Sequence, residues 1–235
     1  MSDTEELPLV HESRPGTVGA DAPAVVLIHG RGTNERDLLP LGAQLPDELY
    51  VLGVRAPQPM GPDSYTWYDL DPSAGGLHAS QPDPEGFRWS LDAVHEFVDG
   101  AVDAYDLDPD RVGLLGFSQG AITGLSALLE RPDAYRWVVA LNGYLAAEHD
   151  GCVAPKAQRS GGGEAVEDDV DAAVGTPAFV GCGAHDQVIP PERAERAAET
   201  LDDAGVEVRL ERYGVGHGTT PEEVTDVVEW VEERY

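Results

Sequence analysis

Residues 111–121 have the sequence RVGLLGFSQGA, in which an apolar run leads directly into the pattern G-x-S-x-G at 116–120. The residues that follow, Gln119–Glu130, have the pattern of a helix, so the serine lies on a predicted strand-to-helix turn. Such a turn forces the serine outward, and its flanking glycines give the backbone room. The helix N-terminus also directs N–H groups at the same point, which suits a developing oxyanion. This context predicts that Ser118 is a nucleophile rather than an incidental serine in a glycine-rich turn.

Short apolar runs alternate with longer amphipathic ones along the chain, which is typical of a parallel sheet with crossover helices. The predicted strands are Ala24–Ile28, Leu49–Val54, Arg111–Phe117, Trp137–Leu141, Ala178–Gly181 and Val206–Arg212. The predicted helices are Glu35–Gln44, Gly86–Tyr105, Gln119–Glu130, Glu192–Ala204 and Pro221–Glu233. Several strands are apolar throughout, as expected when helices cover both faces. We therefore expect a three-layer α/β/α sandwich with a mainly parallel sheet, as a single domain over residues 1–235 with no large lid.

Three segments do not fit this regular pattern. Residues 55–83 contain five prolines and several glycines, and a loop of that length inside a compact domain is usually functional or mobile. Residues 155–174 contain a glycine run and an acidic run, which predict a flexible surface loop. Residues 1–15 are expected to be loose.

A serine hydroxyl needs a base, and in chains with this turn the order of the partners is serine, acid, histidine. His217 lies in GVGHG, after the last predicted strand, where glycines on both sides let the loop bring the ring to the serine. Asp186 follows the penultimate strand in GCGAHD and would accept the Nδ1–H of that histidine. The other downstream histidines are weaker candidates, since His149 lies in a polar loop and His185 directly precedes the acid.

The loop after the first strand, IHGRG at 28–32, supplies the second half of a predicted oxyanion hole. We expect the donors to be the main-chain N–H groups of Arg31 and Gln119. His29 is expected to brace this loop as a structural histidine, and solvation alone is sufficient to explain the Arg31 side chain.

Five segments, in order, resemble the phospholipase/carboxylesterase family, the small lidless branch of α/β hydrolases that includes the acyl-protein thioesterases. The matching segments are LIHGRG (27–32), TWYDL (66–70), GFSQGA (116–121), GCGAHDQVIP (181–190) and GVGHGTTPEEVTDVVEWV (214–231). The resemblance implies the same three catalytic residues and the same two oxyanion donors. It also implies that Trp67 lies in a loop beside the active site and that Val188 forms part of the substrate pocket wall. Trp67 is expected to line the substrate pocket as well, the alternative being that this aromatic residue folds back onto the core.

This chain departs from the family at two positions that are not catalytic. Ala121 stands where a second glycine is more frequent, and Cys182 stands where histidine is more frequent. The reaction class is therefore unaffected, although a charged Arg31 at the pocket mouth argues against long lipid-like substrates.

The resulting hypothesis is a serine carboxylesterase that hydrolyses small to medium acyl esters through an acyl-enzyme, with a small-molecule ester as substrate. An acyl thioesterase or lysophospholipase of the same family is the alternative, because nothing in the sequence separates oxygen from sulfur leaving groups. A serine peptidase and a non-enzymatic binding module are less favoured. A serine peptidase of this fold usually has an additional gating domain. A binding module has no need to keep a serine, an aspartate and a histidine at the positions of a catalytic triad. No metal and no cofactor are expected.

The charge of the chain restricts its other partners. With 44 acidic and 15 basic residues, the net charge of -29 argues against nucleic acid and anionic membranes, which bind clustered Lys and Arg. The composition resembles that of halophilic archaeal proteins, whose folds salt stabilises by screening.

The absence of a long apolar run and of an apolar N-terminal region predicts a cytoplasmic protein without stable membrane insertion. Cys152 and Cys182 are expected to be reduced thiols. A homodimer is compatible with the sequence, which leaves the oligomeric state open.

Overall fold

The computed structural model describes residues 7–71, 79–147 and 175–235. The strands are β1 (His11–Arg14), β2 (Ala22–Ile28), β3 (Tyr50–Val54), β4 (Gln58–Gly61), β5 (Ser64–Thr66), β6 (Leu70–Asp71), β7 (Gln81–Pro82), β8 (Leu107–Phe117), β9 (Trp137–Leu141), β10 (Ala178–Gly183) and β11 (Val208–Tyr213). The helices are α1 (Leu39–Gly42), α2 (Pro84–Tyr105), α3 (Gln119–Glu130), α4 (Pro191–Asp203) and α5 (Pro221–Glu232). The predicted flexible loop at 155–174 lies outside the described residues.

Seven of these strands form one sheet in the order β1-β3-β2-β8-β9-β10-β11. All neighbours pair in parallel except β1, which runs antiparallel to β3 at one edge. Every residue of β2, β9 and β10 is buried, because helices cover both faces of the sheet at its centre. The predicted mainly parallel sheet is confirmed.

Helices on the two faces bury separate apolar clusters. On one face, α2, α3 and α4 contribute residues such as Phe87, Leu125 and Leu201 to the larger cluster. On the other face, α1 and α5 contribute Leu41 and Trp230 to the smaller one. The predicted three-layer sandwich is therefore confirmed. Among the described residues, no helix has the length and apolarity that crossing a bilayer requires.

Two predictions near the N-terminus are wrong. The helix expected over Glu35–Gln44 is only the single turn α1, because Pro40 fits in a first helical turn but would break a hydrogen bond inside a longer helix. The expectation that residues 1–15 are loose fails at β1, which pairs with β3 along its whole length, while residues 1–6 lie outside the described residues. His11 also holds β1 to α2, since its Nε2 atom lies 2.5 Å from the Tyr105 hydroxyl.

The proline-rich segment 55–83 contains more regular structure than its composition suggests. β4 and β5 form a hairpin, and β6 pairs with β7. The hairpin is tied to the loop after β2, because the Gly32 amide donates to the Tyr65 carbonyl at 2.7 Å and the Tyr65 amide donates to the Thr33 carbonyl at 2.9 Å. The segment therefore supports the loop that carries Arg31.

Helix α5 places an unpaired carboxyl group against the sheet. The side chain of Thr220 caps the helix by accepting from the Glu223 amide at 3.1 Å, which turns Glu223 toward β10. A β-carbon at Gly181 would lie 2.4 Å from Glu223 Oε1, so the carboxyl group packs directly against the backbone of β10 at this glycine. Glu223 is fully buried, and neither carboxyl oxygen has a hydrogen-bond partner among the described residues. Burial raises the pKa of this carboxyl from 4.5 to about 7.

We predict that Glu223→Gln stabilises the protein more at pH 8 than at pH 5. A carboxyl whose pKa rises on folding holds its proton more tightly in the folded chain, so its contribution to stability falls as pH increases from about 4.5 to about 7. The amide does not titrate, and the gain at pH 8 should exceed that at pH 5 by on the order of 1 to 3 kcal/mol. Denaturant unfolding at constant salt measures both values. The control is Glu222→Gln, which removes one charge from the exposed neighbouring position. An equal pH-dependent gain in stability for this control would contradict the raised pKa of the buried Glu223 carboxyl.

Candidate active site

The turn between β8 and α3 is strained at Ser118 and held by two close backbone contacts. Ser118 has φ 54° and ψ −114°, a conformation that a residue with a side chain rarely adopts. A β-carbon at Gly116 would lie 2.2 Å from the Gly120 carbonyl oxygen, and one at Gly120 would lie 1.8 Å from the Ile28 carbonyl oxygen. Both glycines of the motif are therefore required, and the turn presents Ser118 above the end of the sheet.

Ser118, His217 and Asp186 form one continuous chain of hydrogen bonds. Ser118 Oγ lies 3.0 Å from His217 Nε2, and His217 Nδ1 lies 2.6 Å from Asp186 Oδ2. The other carboxylate oxygen accepts from the amides of Val188 at 2.8 Å and Ile189 at 2.9 Å. With a proton on Nδ1 facing the carboxylate, a neutral ring leaves Nε2 free to accept the serine proton. The structure thus brings together the three residues that the order along the sequence selected.

Asn142, which the sequence did not predict as a site residue, joins the two loops that carry the acid and the histidine. This buried residue follows β9 directly, with φ 51°. Its Nδ2 donates to the Gly218 carbonyl at 2.9 Å, and its Oδ1 accepts from the Gly183 amide at 2.9 Å. A polar side chain at the carboxyl end of a central strand was the available signal, since that edge is where ligands bind in such sheets.

The main-chain N–H groups of Arg31 and Gln119 are unpaired among the described residues, and both residues line the cavity beside Ser118. Gln119 is the first residue of α3, and the first N–H groups of a helix have no partner within it. Among the described residues, no hydrogen bond engages either amide. Arg31, Gln119 and Ser118 all line one cavity. The geometry can therefore accommodate an oxyanion beside the serine.

The Gln119 side chain hydrogen-bonds residues 66–68, at the end of the β4–β5 hairpin, to the turn between β8 and α3. Its Oε1 accepts from the Trp67 amide at 3.1 Å and lies 2.9 Å from the Thr66 hydroxyl. Its Nε2 donates to the Tyr68 carbonyl at 2.9 Å. Gln119 therefore positions residues 66–68 through its side chain while its main-chain amide stays open.

Trp67 lies beneath the site rather than in a cleft wall, which differs from the family-based expectation. The side chain is fully buried, and its Nε1 donates to the His29 carbonyl at 2.8 Å. The Ser90 hydroxyl donates to the Trp67 carbonyl, so both ends of the residue are engaged. The ring is held inward by these contacts and supports the loop after β2.

His29 braces that loop, as expected for a structural histidine. Its Nε2 accepts from the Ala56 amide at 3.0 Å, which places the proton on Nδ1, 2.6 Å from the Gly30 carbonyl. Burial lowers the pKa of the His29 imidazole, which favours the neutral ring. The ring therefore fixes the backbone on which the Arg31 amide is presented.

The cavity at Ser118 has a volume of about 180 Å³, below the roughly 300 to 1,000 Å³ typical of small-molecule sites. It is lined by Arg31, Leu70, Ser80, Ser118, Gln119, Ile122, Tyr144, Val188, Ile189 and His217. Val188 is therefore one of the residues that line this cavity. A larger depression of about 640 Å³ shares Leu70 but includes neither Ser118 nor His217. We assign the chemistry to the smaller cavity for that reason.

Comparisons with known proteins agree on one family. A family model described as Phospholipase/Carboxylesterase matches residues 18–234. Acyl-protein thioesterase 1 of Gibberella zeae is 27% identical over 193 residues, which cover 81% of this chain and 73% of that protein. MhqD of Bacillus subtilis is 25% identical over 215 residues, covering 92% and 95%.

Solved structures show the same fold. Esterase PE8 superposes with a TM-score of 0.77 at 25% identity, covering 97% of this chain and 99% of that one. The carboxylesterase of Bacillus cereus has a TM-score of 0.76 at 23% identity, covering 97% and 95%.

We predict that Gly120→Ala disrupts the turn whereas Gly124→Ala, in the same helix, does not. The alanine at 120 meets a backbone carbonyl at 1.8 Å and must displace β2 or α3, which should cost about 2 kcal/mol or more and most of the activity. At 124 the nearest atom lies at 3.7 Å, so alanine should stabilise the helix by roughly 0.5 to 1 kcal/mol. Thermal unfolding and ester hydrolysis measure both effects. Equal behaviour of the two variants would contradict the account of the turn.

Proposed function

This chain belongs to the phospholipase/carboxylesterase family of serine hydrolases, and we propose that it is a carboxylesterase that hydrolyses small to medium acyl esters through an acyl-enzyme. The observation that carries the proposal is the hydrogen-bonded chain Ser118–His217–Asp186, which opens on a small cavity lined by apolar side chains.

In the first half of the proposed reaction, Ser118 Oγ attacks the ester carbonyl and transfers its proton to His217 Nε2. The carbonyl oxygen becomes an oxyanion that accepts hydrogen bonds from the amides of Arg31 and Gln119. His217 then gives the proton to the departing alcohol, and the acyl group remains on Ser118.

In the second half, His217 takes a proton from water, which attacks the acyl-enzyme through the same oxyanion site. The proton returns to Ser118 as the carboxylic acid leaves. Asp186 stabilises the imidazolium in both halves, and because its own carboxylate accepts three hydrogen bonds it is held in one orientation. The negative charge of the oxyanion therefore develops beside two N–H donors, and the positive charge of the imidazolium develops beside the Asp186 carboxylate.

The size of the cavity favours short acyl groups. Apolar side chains of Leu70, Ile122, Val188 and Ile189 line it, with Tyr144 beside them. A volume of about 180 Å³ holds a few methylene groups, so a long fatty acyl chain would have to extend beyond it. This supports an esterase for small substrates over a lysophospholipase.

A thioesterase is the second candidate, because several similar proteins carry the name acyl-protein thioesterase 1. The proposed steps serve a thioester equally well, since only the leaving atom differs. Comparing kcat/KM for an ester and a thioester with the same short acyl group separates the two activities.

We predict that Ser118→Ala and His217→Ala each lower kcat by roughly 10⁴-fold or more, and that the double variant loses little beyond either one, because residues that act as a unit are not additive. The folded state should remain, since Ser118 contributes its hydroxyl to the reaction rather than to the core. Steady-state kinetics and thermal unfolding measure the two properties.

Ser126→Ala is the matched control, because Ser126 lies in α3 and its buried hydroxyl has no hydrogen-bond partner among the described residues. It should keep its activity. Multiplicative losses in the double variant, or substantial turnover by Ser118→Ala, would contradict the proposal.

A further inference from the structure

Arg31 places an exposed guanidinium group at the edge of the catalytic cavity. The residue lines the cavity together with Ser118, Gln119 and His217, and its side chain is exposed to solvent. Within residues 7–71, 79–147 and 175–235, no carboxylate forms an ion pair with Arg31 and no hydrogen bond engages its side chain. The positive charge is therefore available to a ligand.

This availability contrasts with most of the other arginines in the described part of the chain. The chain has 44 acidic residues and 15 basic ones, and most of the arginines that the structure describes lie within ion-pair distance of a carboxylate. Ion pairs join Arg36 to Glu12, Arg55 to Glu35, Arg131 to Asp99 and Arg212 to Glu195. Arg31 differs in having no such partner among the described residues while facing the cavity.

The proposed reaction does not use the Arg31 side chain. Its oxyanion contact is made by the main-chain amide, which any residue except proline could supply. The loop is braced by other groups, since the Thr33 hydroxyl donates to the Gly30 carbonyl at 3.0 Å and the His29 ring bonds to Gly30 and Ala56. A guanidinium is instead well suited to bind a carboxylate, through paired N–H donors in a rigid fork.

We infer that Arg31 recognises a carboxylate on the substrate, so that the preferred substrates are short esters bearing an acid group close to the scissile bond. Monoesters of short dicarboxylic acids and esters of hydroxy acids belong to this class. The inference rests on the proposed esterase function and specifies its substrate. The apolar wall holds the uncharged part, and Arg31 supplies a local cation in a protein whose net charge of -29 otherwise repels anions.

The test compares three esters of matched size. Ethyl butyrate is the neutral reference, monoethyl succinate has its carboxylate on the acyl side, and the butyryl ester of glycolate has it on the leaving-group side. The measured quantity is kcat/KM for each anionic ester divided by that for ethyl butyrate, in molar salt so that long-range repulsion is screened. Because the ratio is taken within each variant, losses common to all esters cancel.

In Arg31→Gln, we expect at least one ratio to fall about tenfold, the effect of losing one charge-assisted hydrogen bond. The ester that responds identifies the side on which the carboxylate lies. Arg31→Lys should retain part of the preference, since it keeps the charge without the fork. Arg36→Gln, which removes a cation from the same loop outside the cavity lining, should leave both ratios unchanged.

The inference is overturned if neither ratio changes in Arg31→Gln, or if Arg36→Gln lowers them equally, since the effect would then come from the overall field. If Arg31→Gln hydrolyses ethyl butyrate and both kcat/KM ratios equal those of the wild type, the esterase function is retained and the role of Arg31 in substrate recognition is excluded. If the wild-type protein hydrolyses none of the three esters, the proposed function itself is contradicted, and the inference fails with it.

Discussion

The backbone of the turn after β8 passes so close to the end of β2 that a β-carbon at Gly120 would lie 1.8 Å from the Ile28 carbonyl oxygen. This contact sets the position of α3 relative to the sheet, and the rest of the site is arranged around it. It brings the Gln119 amide and the loop carrying Arg31 to the same side of Ser118. The strained backbone of Ser118 persists because the fully buried β2 and the buried face of α3 hold both sides of the turn.

The remaining chemistry follows from the parallel sheet. The carboxyl ends of β9, β10 and β11 lie at one edge, and each is followed by a residue of the site: Asn142, Asp186 and His217. Each residue therefore comes from a different loop, and the loops are joined by hydrogen bonds rather than by sequence proximity. Asn142 makes that connection, since it bonds to both the Gly183 amide and the Gly218 carbonyl.

The sequence predicted the features that depend on local pattern and chain order. Apolar runs identified the central strands because both faces are covered, and the order of serine, acid and histidine identified Asp186 among many carboxylates. It did not predict β1, whose polar sequence HESR lacks an apolar signature, or the hairpin, whose prolines are tolerated at sheet edges. It also did not predict the partners of Asn142 or the buried location of Trp67, because those contacts exist only once distant loops meet.

In the proposed reaction one serine, Ser118, carries the acyl group. Labelling the protein with a short alkyl fluorophosphonate, followed by digestion and peptide mass spectrometry, locates the reactive residue directly. We expect a single adduct per chain on Ser118, with activity falling in proportion to the labelled fraction. An adduct on another residue, or activity that persists in fully labelled protein, would contradict it.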